Sequence, residues 1–291
     1  MSATPGGHDM GSDVGSDPER AHAVAAAQAS GHGEGFDYVA GSPHLRHDSL
    51  RGMVEGRLER LVADITARTG GCRALEIGGG HGNFSARLLR SGATLTVTET
   101  SPASAEVLRT QLTGLGSVEV RHDETGEAIL ESEETWDLVV MTAVLHHIPD
   151  YLAYLERLVG LIAEDGALFT AQDPLYYPRM PRLHHRAQRA TYLAWRVAQG
   201  EYKRGLATRW RRLRGVYDDT SESDLIEYHV VRDGVDEEAI REQLAPRFGS
   251  VEVFSYWSTQ APIWQRLGER TRMRTDFGIE ARGRLAGQPR T

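Results

Sequence analysis

The chain has 291 residues, of which 40% are hydrophobic and 25% charged, and its formal net charge is −8. This is ordinary globular composition for one large domain or two small ones, and the acidic balance argues against a protein that coats nucleic acid. The single cysteine excludes an internal disulfide and a cysteine-rich zinc site. No apolar run approaches the roughly 18 residues of a membrane span, so we expect a cytoplasmic protein.

The N-terminal region divides into two parts. Residues 1–35 are rich in small and polar side chains and contain almost nothing large and apolar, which predicts a disordered tail. Over residues 36–70, apolar residues recur at helical spacing between Leu45 and Ile65, and Gly70 and Gly71 follow. This segment is predicted to be an N-terminal helical lid.

Strand-like and helix-like segments alternate over residues 71–174. Strands are predicted at 72–77, 94–98, 118–121, 136–141 and 167–171, with helices at 83–90, 102–112 and 151–162. Alternation of this kind requires parallel crossovers and therefore predicts a doubly wound, Rossmann-like α/β fold.

The alternation stops over residues 175–235 and resumes with a helix at 236–244. Two late strand-like segments follow, at 251–257 and 272–282, with no clear helix between them. They predict an antiparallel pair that ends a seven-stranded, mostly parallel sheet. The core is therefore assigned to 71–174 and 236–291, and 175–235 is predicted to be a helical insertion.

A glycine-rich turn follows the first strand, where residues 74–84 read Ala-Leu-Glu-Ile-Gly-Gly-Gly-His-Gly-Asn-Phe. In open α/β sheets, ligands bind at the carboxyl ends of the strands, so a nucleotide-like ligand is expected over the turn. The dinucleotide fingerprint G-x-G-x-x-G fails at Asn83. Glu76 would repel a pyrophosphate and suits a ligand that carries an ammonium group.

Four segments, taken in chain order, resemble motifs of class I S-adenosylmethionine-dependent methyltransferases. They are Glu76-x-Gly78-x-Gly80-x-Gly82, the strand end Thr96-Val97-Thr98-Glu99, the pair His122-Asp123, and Trp136–Thr142, which continues as Val144-Leu145-His146-His147. The resemblance covers most of the predicted core.

The resemblance implies S-adenosylmethionine as cofactor and S-adenosylhomocysteine as product. It places Glu76 near the amino-acid end of the cofactor, Glu99 on both ribose hydroxyls, and Asp123 or Glu124 near the adenine amino group. The candidate cofactor-binding residues are Glu76, Gly78, Gly79, Gly80, Gly82, Asn83, Glu99, Thr100, Asp123, Glu124, Thr142 and Ala143.

Two adjacent histidines, His146 and His147, are the candidate catalytic residues because they follow the motif IV strand at its carboxyl end. Either imidazole is a suitable base if the acceptor is a hydroxyl or a carbon acid. The other interpretation is that one ring packs under the cofactor or caps the next helix. O-methylation is the first expectation, and C- and N-methylation come next.

Asp173-Pro174-Leu175-Tyr176 is similar to the D-P-P-Y motif of nucleic-acid amino-methyltransferases. It has Leu at the third position and follows strand five instead of strand four. We interpret it as a strand-exit turn, so methylation of a nucleic-acid base is not the leading hypothesis.

The predicted insertion is strongly basic. Between Arg179 and Arg214 there are eleven Arg and Lys residues and one acid, Glu201. Three interpretations stay open: a solvated helical face over the active site, capture of an anionic small molecule, or contact with RNA, an anionic membrane or an acidic partner. Because the rest of the chain is acidic, internal pairing or a homo-oligomer is also expected.

The candidate substrate-binding residues are Tyr176, Tyr177, His184, His185, Tyr228, His229 and Trp257; no metal site is expected. By analogy with the family, His44 and Arg46 of the lid are placed near the cofactor or acceptor. The sequence as a whole predicts a methyltransferase that acts on a small-molecule acceptor, in specialised metabolism for example. An RNA methyltransferase and a catalytically silent cofactor-binding protein are the alternatives.

Overall fold

The computed structural model describes residues 42–198 and 233–286. The predicted tail at 1–35, most of the second half of the insertion, and the candidates Tyr228 and His229 lie outside the described residues. One seven-stranded sheet organises the rest, with strand order β3-β2-β1-β4-β5-β7-β6. Its strands are β1 (Arg73–Ile77), β2 (Thr94–Glu99), β3 (Val118–His122), β4 (Trp136–Thr142), β5 (Ile162–Pro174), β6 (Phe248–Tyr256) and β7 (Asp276–Arg284).

The pairing of the strands confirms the predicted fold class. Strands β1 to β5 pair in parallel, whereas β7 lies antiparallel between β5 and β6. The strand order reverses at the β1/β4 boundary, since β2 lies on one side of β1 and β4 on the other. The crevice at the carboxyl ends of β1 and β4 is where open α/β sheets bind their ligands.

Eight α-helices accompany the sheet in the described residues. They are α1 (Pro43–Arg46), α2 (Asp48–Thr69), α3 (Asn83–Arg90), α4 (Pro102–Leu112), α5 (Tyr151–Val159), α6 (Arg182–Ala198), α7 (Glu237–Leu244) and α8 (Pro262–Arg270). Side-chain caps begin three of them: the Ser101 hydroxyl and the Asp150 and Asp236 carboxylates each accept a backbone N–H from the first turn.

The helices cover the sheet on both faces. One core cluster joins the sheet to α5 and α7, and the other joins it to α2, α3 and α4. Helix α2 buries an apolar stripe that includes Val54, Leu58 and Ile65 in the second cluster. This helix therefore packs as part of the core, and the predicted role of residues 36–70 as a lid stays a prediction.

Between β6 and β7 lies α8, so the prediction of no helix in this region was wrong. The reason is its residue pattern: Gln265 and Gly268 are buried while Ile263, Trp264 and Leu267 are exposed. Apolar periodicity therefore marks the outer face of this helix and not the buried one. The last strand also starts later than predicted, at Asp276. Within the described ranges, no helix is both long and apolar enough to cross a bilayer.

Candidate active site

The glycine turn connects the end of β1 to α3 in a backbone conformation that favours glycine. Gly78, Gly80 and Gly82 have φ values of 72°, 54° and 83°, in the left-handed region. The N–H groups of Gly78 and Gly79 both donate to the carbonyl oxygen of Thr98, at 3.0 and 3.1 Å. These bonds fasten the turn to the end of β2.

The turn is also closely packed from two sides. A Cβ atom added at Gly79 would lie 2.3 Å from Val97 Cγ2, and one added at Gly78 would lie 2.7 Å from Val144 Cγ2. Val144 belongs to the loop after β4, so the loop that carries His146 and His147 packs directly on the glycine turn. The fold therefore brings the glycine turn and the loop with the two histidines together.

Glu76 is buried beneath the turn. The Ser85 hydroxyl, from the first turns of α3, donates to Glu76 Oε2 at 2.5 Å. Burial raises the pKa of Glu76 to about 7; the charge of Glu99 raises the pKa further, and the Ser85 hydrogen bond opposes both. Two buried carboxyl groups in proximity favour a cationic ligand, because a positive charge would stabilise their ionised forms.

Glu99, at the end of β2, joins the turn to the start of α4. Its Oε2 accepts the Gly80 N–H at 2.8 Å, and its Oε1 accepts the Ser101 N–H at 3.1 Å. Burial raises the pKa of Glu99, and the hydrogen bonds from Ser101, Gly80 and Thr100 oppose the rise. Neighbouring groups therefore already use most of the acceptor capacity of this carboxylate, and its contact with ribose hydroxyls stays a prediction.

Asp123, after β3, is engaged in holding a turn. Its Oδ1 accepts the N–H groups of Gly126 and Ala128 at 2.9 and 3.2 Å, and its Oδ2 accepts the Ile129 N–H at 3.0 Å. The neighbouring Glu124 is exposed. The structure thus gives Asp123 a clear structural task, and a contact of either acid with adenine stays a prediction.

The loop after β4 is anchored on β5. Thr142 ends β4, and Ala143 adopts a positive φ of 59°, which is uncommon for a residue with a side chain. The Ala143 N–H donates to the Ala171 carbonyl at 2.8 Å. Asn83, the first residue of α3, is exposed, whereas Thr100 is half-buried beside Glu99.

His146 is paired with Asp173, a contact that the sequence analysis missed. His146 Nδ1 lies 2.8 Å from Asp173 Oδ1, and the His146 backbone N–H donates to the same oxygen at 3.1 Å. Asp173 is completely buried, and burial raises its pKa to about 8, opposed by the N–H groups of His146 and Leu145. The His147 ring lies beside the His146 ring, with centroids 4.0 Å apart.

A bulge in β5 aims Asp173 at His146. The pairing of β5 with β7 shifts register between Ala171 and Asp173, and Gln172 has a φ of 66°. The Gln172 N–H donates to the Tyr256 hydroxyl oxygen at 2.7 Å, which holds the bulge in place. Bulges beside active sites commonly redirect a side chain in this way.

Further buried polar groups extend from the bulge toward β6 and β7. The Gln172 side-chain amide donates to Ser258 Oγ at 2.7 Å and to Asp276 Oδ1 at 3.2 Å. Burial raises the pKa of Asp276 to about 8, and the charge of Asp173 adds to the rise. The sequence analysis did not single out Gln172, Ser258 or Asp276, because they come from segments about 85 to 105 positions apart.

The predicted substrate residues of the insertion lie around the start of α6. The Tyr177 and His185 rings stack at 4.9 Å, and the Arg179 guanidinium lies 4.8 Å from the Tyr176 ring centroid. His184 Nδ1 accepts the Arg274 N–H at 3.3 Å. Their contact with a substrate stays a prediction.

Trp257 is placed differently from the others. Its side chain is buried, and its indole N–H donates to the Trp264 carbonyl at 3.0 Å. Trp257 therefore packs beneath α8, and its contact with a substrate stays a prediction.

The two lid candidates, His44 and Arg46, lie in different environments. His44 is buried and stacks on Phe84 of α3 at 5.9 Å, and burial lowers its pKa to about 3, so the ring is neutral near pH 7. Arg46 is exposed. Among residues 42–198 and 233–286, no three His, Cys, Asp or Glu side chains gather as a metal site would require.

Comparison with known proteins identifies the family. Residues 50–210, more than half of the chain, match the family described as Methyltransferase domain. The chain belongs to the class I S-adenosylmethionine-dependent methyltransferases. This confirms the resemblance found in the sequence motifs.

Curated relatives of the methyltransferase match over part of their length. The Ubiquinone biosynthesis O-methyltransferase of Xanthomonas campestris pv. campestris is 30% identical over 114 residues, which are 39% of this chain and 47% of that protein. The protein of the same name from Xylella fastidiosa is 31% identical over 132 residues, 44% of this chain and 52% of its own. The chain therefore spans about half the length of these relatives.

Two solved methyltransferase structures share the fold. N-methyltransferase NodS from Bradyrhizobium japonicum WM9, in complex with S-adenosylhomocysteine, aligns with a TM-score of 0.51 at 14% identity over 91% of this chain and 98% of its own. The plantazolicin methyltransferase BpumL, also with S-adenosylhomocysteine, gives 0.52 at 12% identity over 91% and 97%. At such low identity the likeness supports the architecture alone.

Proposed function

We propose that this methyltransferase transfers a methyl group from S-adenosylmethionine to a hydroxyl oxygen of a small molecule. The observation that carries the proposal is the His146–Asp173 pair, which the β4 loop holds against the glycine turn through Val144. A positioned imidazole with a buried carboxylate behind it is an arrangement suited to removing a proton.

The residues around the turn fit the cofactor chemically. The left-handed backbone at Gly78, Gly80 and Gly82 lets the chain turn sharply above the two acids. Glu76 matches the positive amino-acid end of the cofactor, and Glu99 can accept from a ribose hydroxyl.

When bound, S-adenosylmethionine supplies a methyl group already activated by its sulfonium, so the chain has to align the acceptor and handle its proton. His146 Nδ1 faces Asp173, and Nε2 is then the nitrogen that takes the hydroxyl proton. Asp173 orients the ring and stabilises the imidazolium that forms. The contact between His146 and Asp173 is the reason for proposing His146 as the base.

The curated relatives named O-methyltransferases support an oxygen acceptor, although the N-methyltransferase among the structural neighbours shows that the fold admits nitrogen. Amine and carboxylate acceptors need no general base, and they would leave the His146–Asp173 pair without a task. The cytoplasmic location, the anionic character of the acceptor and a homo-oligomer stay predictions.

Two measurements test the proposal. Calorimetry with S-adenosylhomocysteine and NAD in parallel should show binding of the first only; binding of NAD alone would refute the cofactor assignment. A screen of small alcohols, phenols, amines and carboxylic acids then reads the release of S-adenosylhomocysteine from S-adenosylmethionine. Turnover of amines only would refute the hydroxyl acceptor, and no turnover at all would support the silent alternative.

A matched pair of variants separates the two histidines. His146→Gln should lower the rate with a hydroxyl acceptor by about 100-fold or more, the usual scale for a general base, while cofactor affinity stays unchanged. His147→Gln is the control and should keep most of the rate. The reverse result would assign the base to His147 and leave Asp173 without a role.

A further inference from the structure

Helix α8 has its polarity reversed relative to an ordinary surface helix. Its inward side contains Gln265, which is 2% exposed, and Gly268, whereas Ile263 is 79% exposed and Leu267 48%. Trp264 is also exposed, at 42%. Surface helices normally turn such residues to the core and their polar residues to water.

The inward side is held in place by specific contacts. A Cβ atom at Gly268 would lie 2.3 Å from the Trp257 ring, so the helix backbone rests directly on the indole. The Gln265 side chain donates to the Trp257 carbonyl at 2.8 Å and accepts the Thr259 N–H at 3.0 Å. The helix is therefore fixed with its apolar residues outward, and a simple rotation would break these contacts.

Two hydrogen bonds connect helix α6 to the segments before and after α8. The Thr259 hydroxyl, just before α8, donates to Thr191 Oγ1 at 3.1 Å, and the Arg274 N–H, just after α8, donates to His184 at 3.3 Å. Of the seven large hydrophobic side chains exposed in the described residues, six lie on these two helices. They are Leu183, Tyr192, Leu193, Ile263, Trp264 and Leu267, and we call this surface the α6–α8 face.

Exposed arginines accompany the apolar residues of this face. Six exposed examples lie on α6, on α8 or just after α8, and none forms a salt bridge with another described side chain: Arg182, Arg186, Arg189, Arg266, Arg270 and Arg272. Arginines elsewhere, such as Arg57, Arg121 and Arg157, each pair with two carboxylates. In a chain with a net charge of −8, this face combines exposed aliphatic groups with positive charge that forms no ion pair with the side chains of residues 42–195 and 233–286.

We propose that the α6–α8 face docks on an anionic lipid surface. Aliphatic and tryptophan side chains that enter the headgroup region, flanked by arginines that meet lipid phosphates, are the physical signature of an interfacial helix. RNA would match the charge but would leave Ile263, Leu267 and Leu183 in water. A neutral apolar partner would match the side chains and leave the arginines without counter-charges.

The segment before α8 is connected to the proposed active site. Ser258, between β6 and α8, accepts a hydrogen bond from Gln172, and the next residue is Asp173. The docking proposal itself does not depend on methyl transfer, and it goes beyond the proposed function.

Vesicle sedimentation with the full chain tests the proposal. Binding to phosphatidylglycerol vesicles is expected to exceed binding to phosphatidylcholine vesicles and to fall as salt rises. Leu267→Ser together with Ile263→Ser should lower the partition coefficient by about tenfold or more, from the lost apolar burial. Each of Arg266→Gln and Arg270→Gln should lower it by about fivefold, the scale for one basic residue at an anionic surface.

Matched controls lie elsewhere on the protein. Leu285 is 47% exposed, against 48% for Leu267, and it lies beyond the opposite end of β7, so Leu285→Ser should bind like the unmodified chain. Arg90, exposed at the end of α3, serves in the same way as Arg90→Gln. Equal losses in the control and test variants would overturn the assignment to this face, as would equal binding to both vesicle types.

Tryptophan fluorescence gives a readout that folding alone would not change. Brominated phosphatidylglycerol should quench the emission of the full chain, and Trp264→Phe should remove most of that quenching while vesicle binding persists. Quenching that is unchanged in Trp264→Phe would overturn the proposal. A dimer without lipid that Ile263→Ser and Leu267→Ser dissociate would show that a second copy occupies the face, and would also overturn it. Calorimetry with S-adenosylhomocysteine on the same samples reports separately on the proposed function.

Discussion

Glu99 offers the sharpest test of the cofactor site, through the isosteric change Glu99→Gln. The carboxylate accepts one backbone N–H on each oxygen, from Gly80 and from Ser101. A glutamine keeps the shape but places an NH₂ group against one of these donors. The variant therefore loses a hydrogen bond within the turn and one acceptor for a ribose hydroxyl.

The magnitude follows from the number of bonds lost to the ligand. A hydrogen bond to a charged group contributes about 1.5–3 kcal/mol, so loss of one should raise the dissociation constant for S-adenosylhomocysteine by about 10- to 150-fold. The bond lost within the turn acts on the free protein as well. Thermal unfolding without ligand measures that part separately.

Calorimetric titration with S-adenosylhomocysteine is the assay, and Glu119→Gln is its control. Glu119 is an exposed glutamate on the neighbouring strand β3, paired with Arg121 at 2.8 Å, and its amide variant should bind the ligand normally. A dissociation constant for Glu99→Gln within about twofold of the unmodified chain would refute the ribose role, since such a change is far below the scale of one charged hydrogen bond.

Three further predictions concern packing, orientation and pH. Gly79→Ala should lower the free energy of unfolding by about 1–3 kcal/mol, because its Cβ would lie 2.3 Å from a Val97 methyl group. Gly52→Ala is the control and should not lower it, because nothing lies within 4 Å of the added Cβ. Equal melting temperatures for the two variants would contradict this prediction. Asp173→Asn should lower kcat by about 10- to 150-fold and shift the acid limb of the pH profile of kcat, while cofactor affinity stays unchanged. A loss of rate with an unshifted pH profile would indicate that Asp173 has a purely structural role. The pKa of Asp276 is raised from 3.8 to about 8 in the folded chain, so its stabilising contribution is complete below about pH 4 and is lost as pH rises through about 8. Asp276→Asn should make the fall in unfolding free energy across this range shallower in denaturant titrations, and an unchanged slope would mean that Asp276 does not titrate as described.

Local patterns were sufficient for the architecture and for the cofactor end of the site. The run from Glu76 through Gly82 encodes a strand, a left-handed turn and a helix within a few residues, and Glu99 lies at the end of the neighbouring strand by the same alternation. Parallel strands gather their carboxyl ends at one edge of the sheet, so these residues had to meet. The sequence could therefore predict the family and the clustering of these residues at one edge of the sheet.

Asp123 shows where a motif match was ambiguous. The match identified an acid after β3 but did not distinguish an adenine contact from a structural one. Only the folded chain shows its carboxylate accepting from Gly126, Ala128 and Ile129. A carboxylate can accept hydrogen bonds in either role, so the residue type alone does not distinguish an adenine contact from a structural one.

Local sequence patterns predicted the order of the strands, most of the helices, the glycine turn and the two acids beside it, because each is encoded within a few consecutive residues. The contact of His146 with Asp173 came only from the folded chain, since it joins positions 27 residues apart and depends on a bulge at Gln172. The folded chain also decided that α8 presents Ile263 and Leu267 outward, because Trp257 occupies the space beneath Gly268. Both depend on how separate segments pack against one another, which periodicity within one segment does not encode.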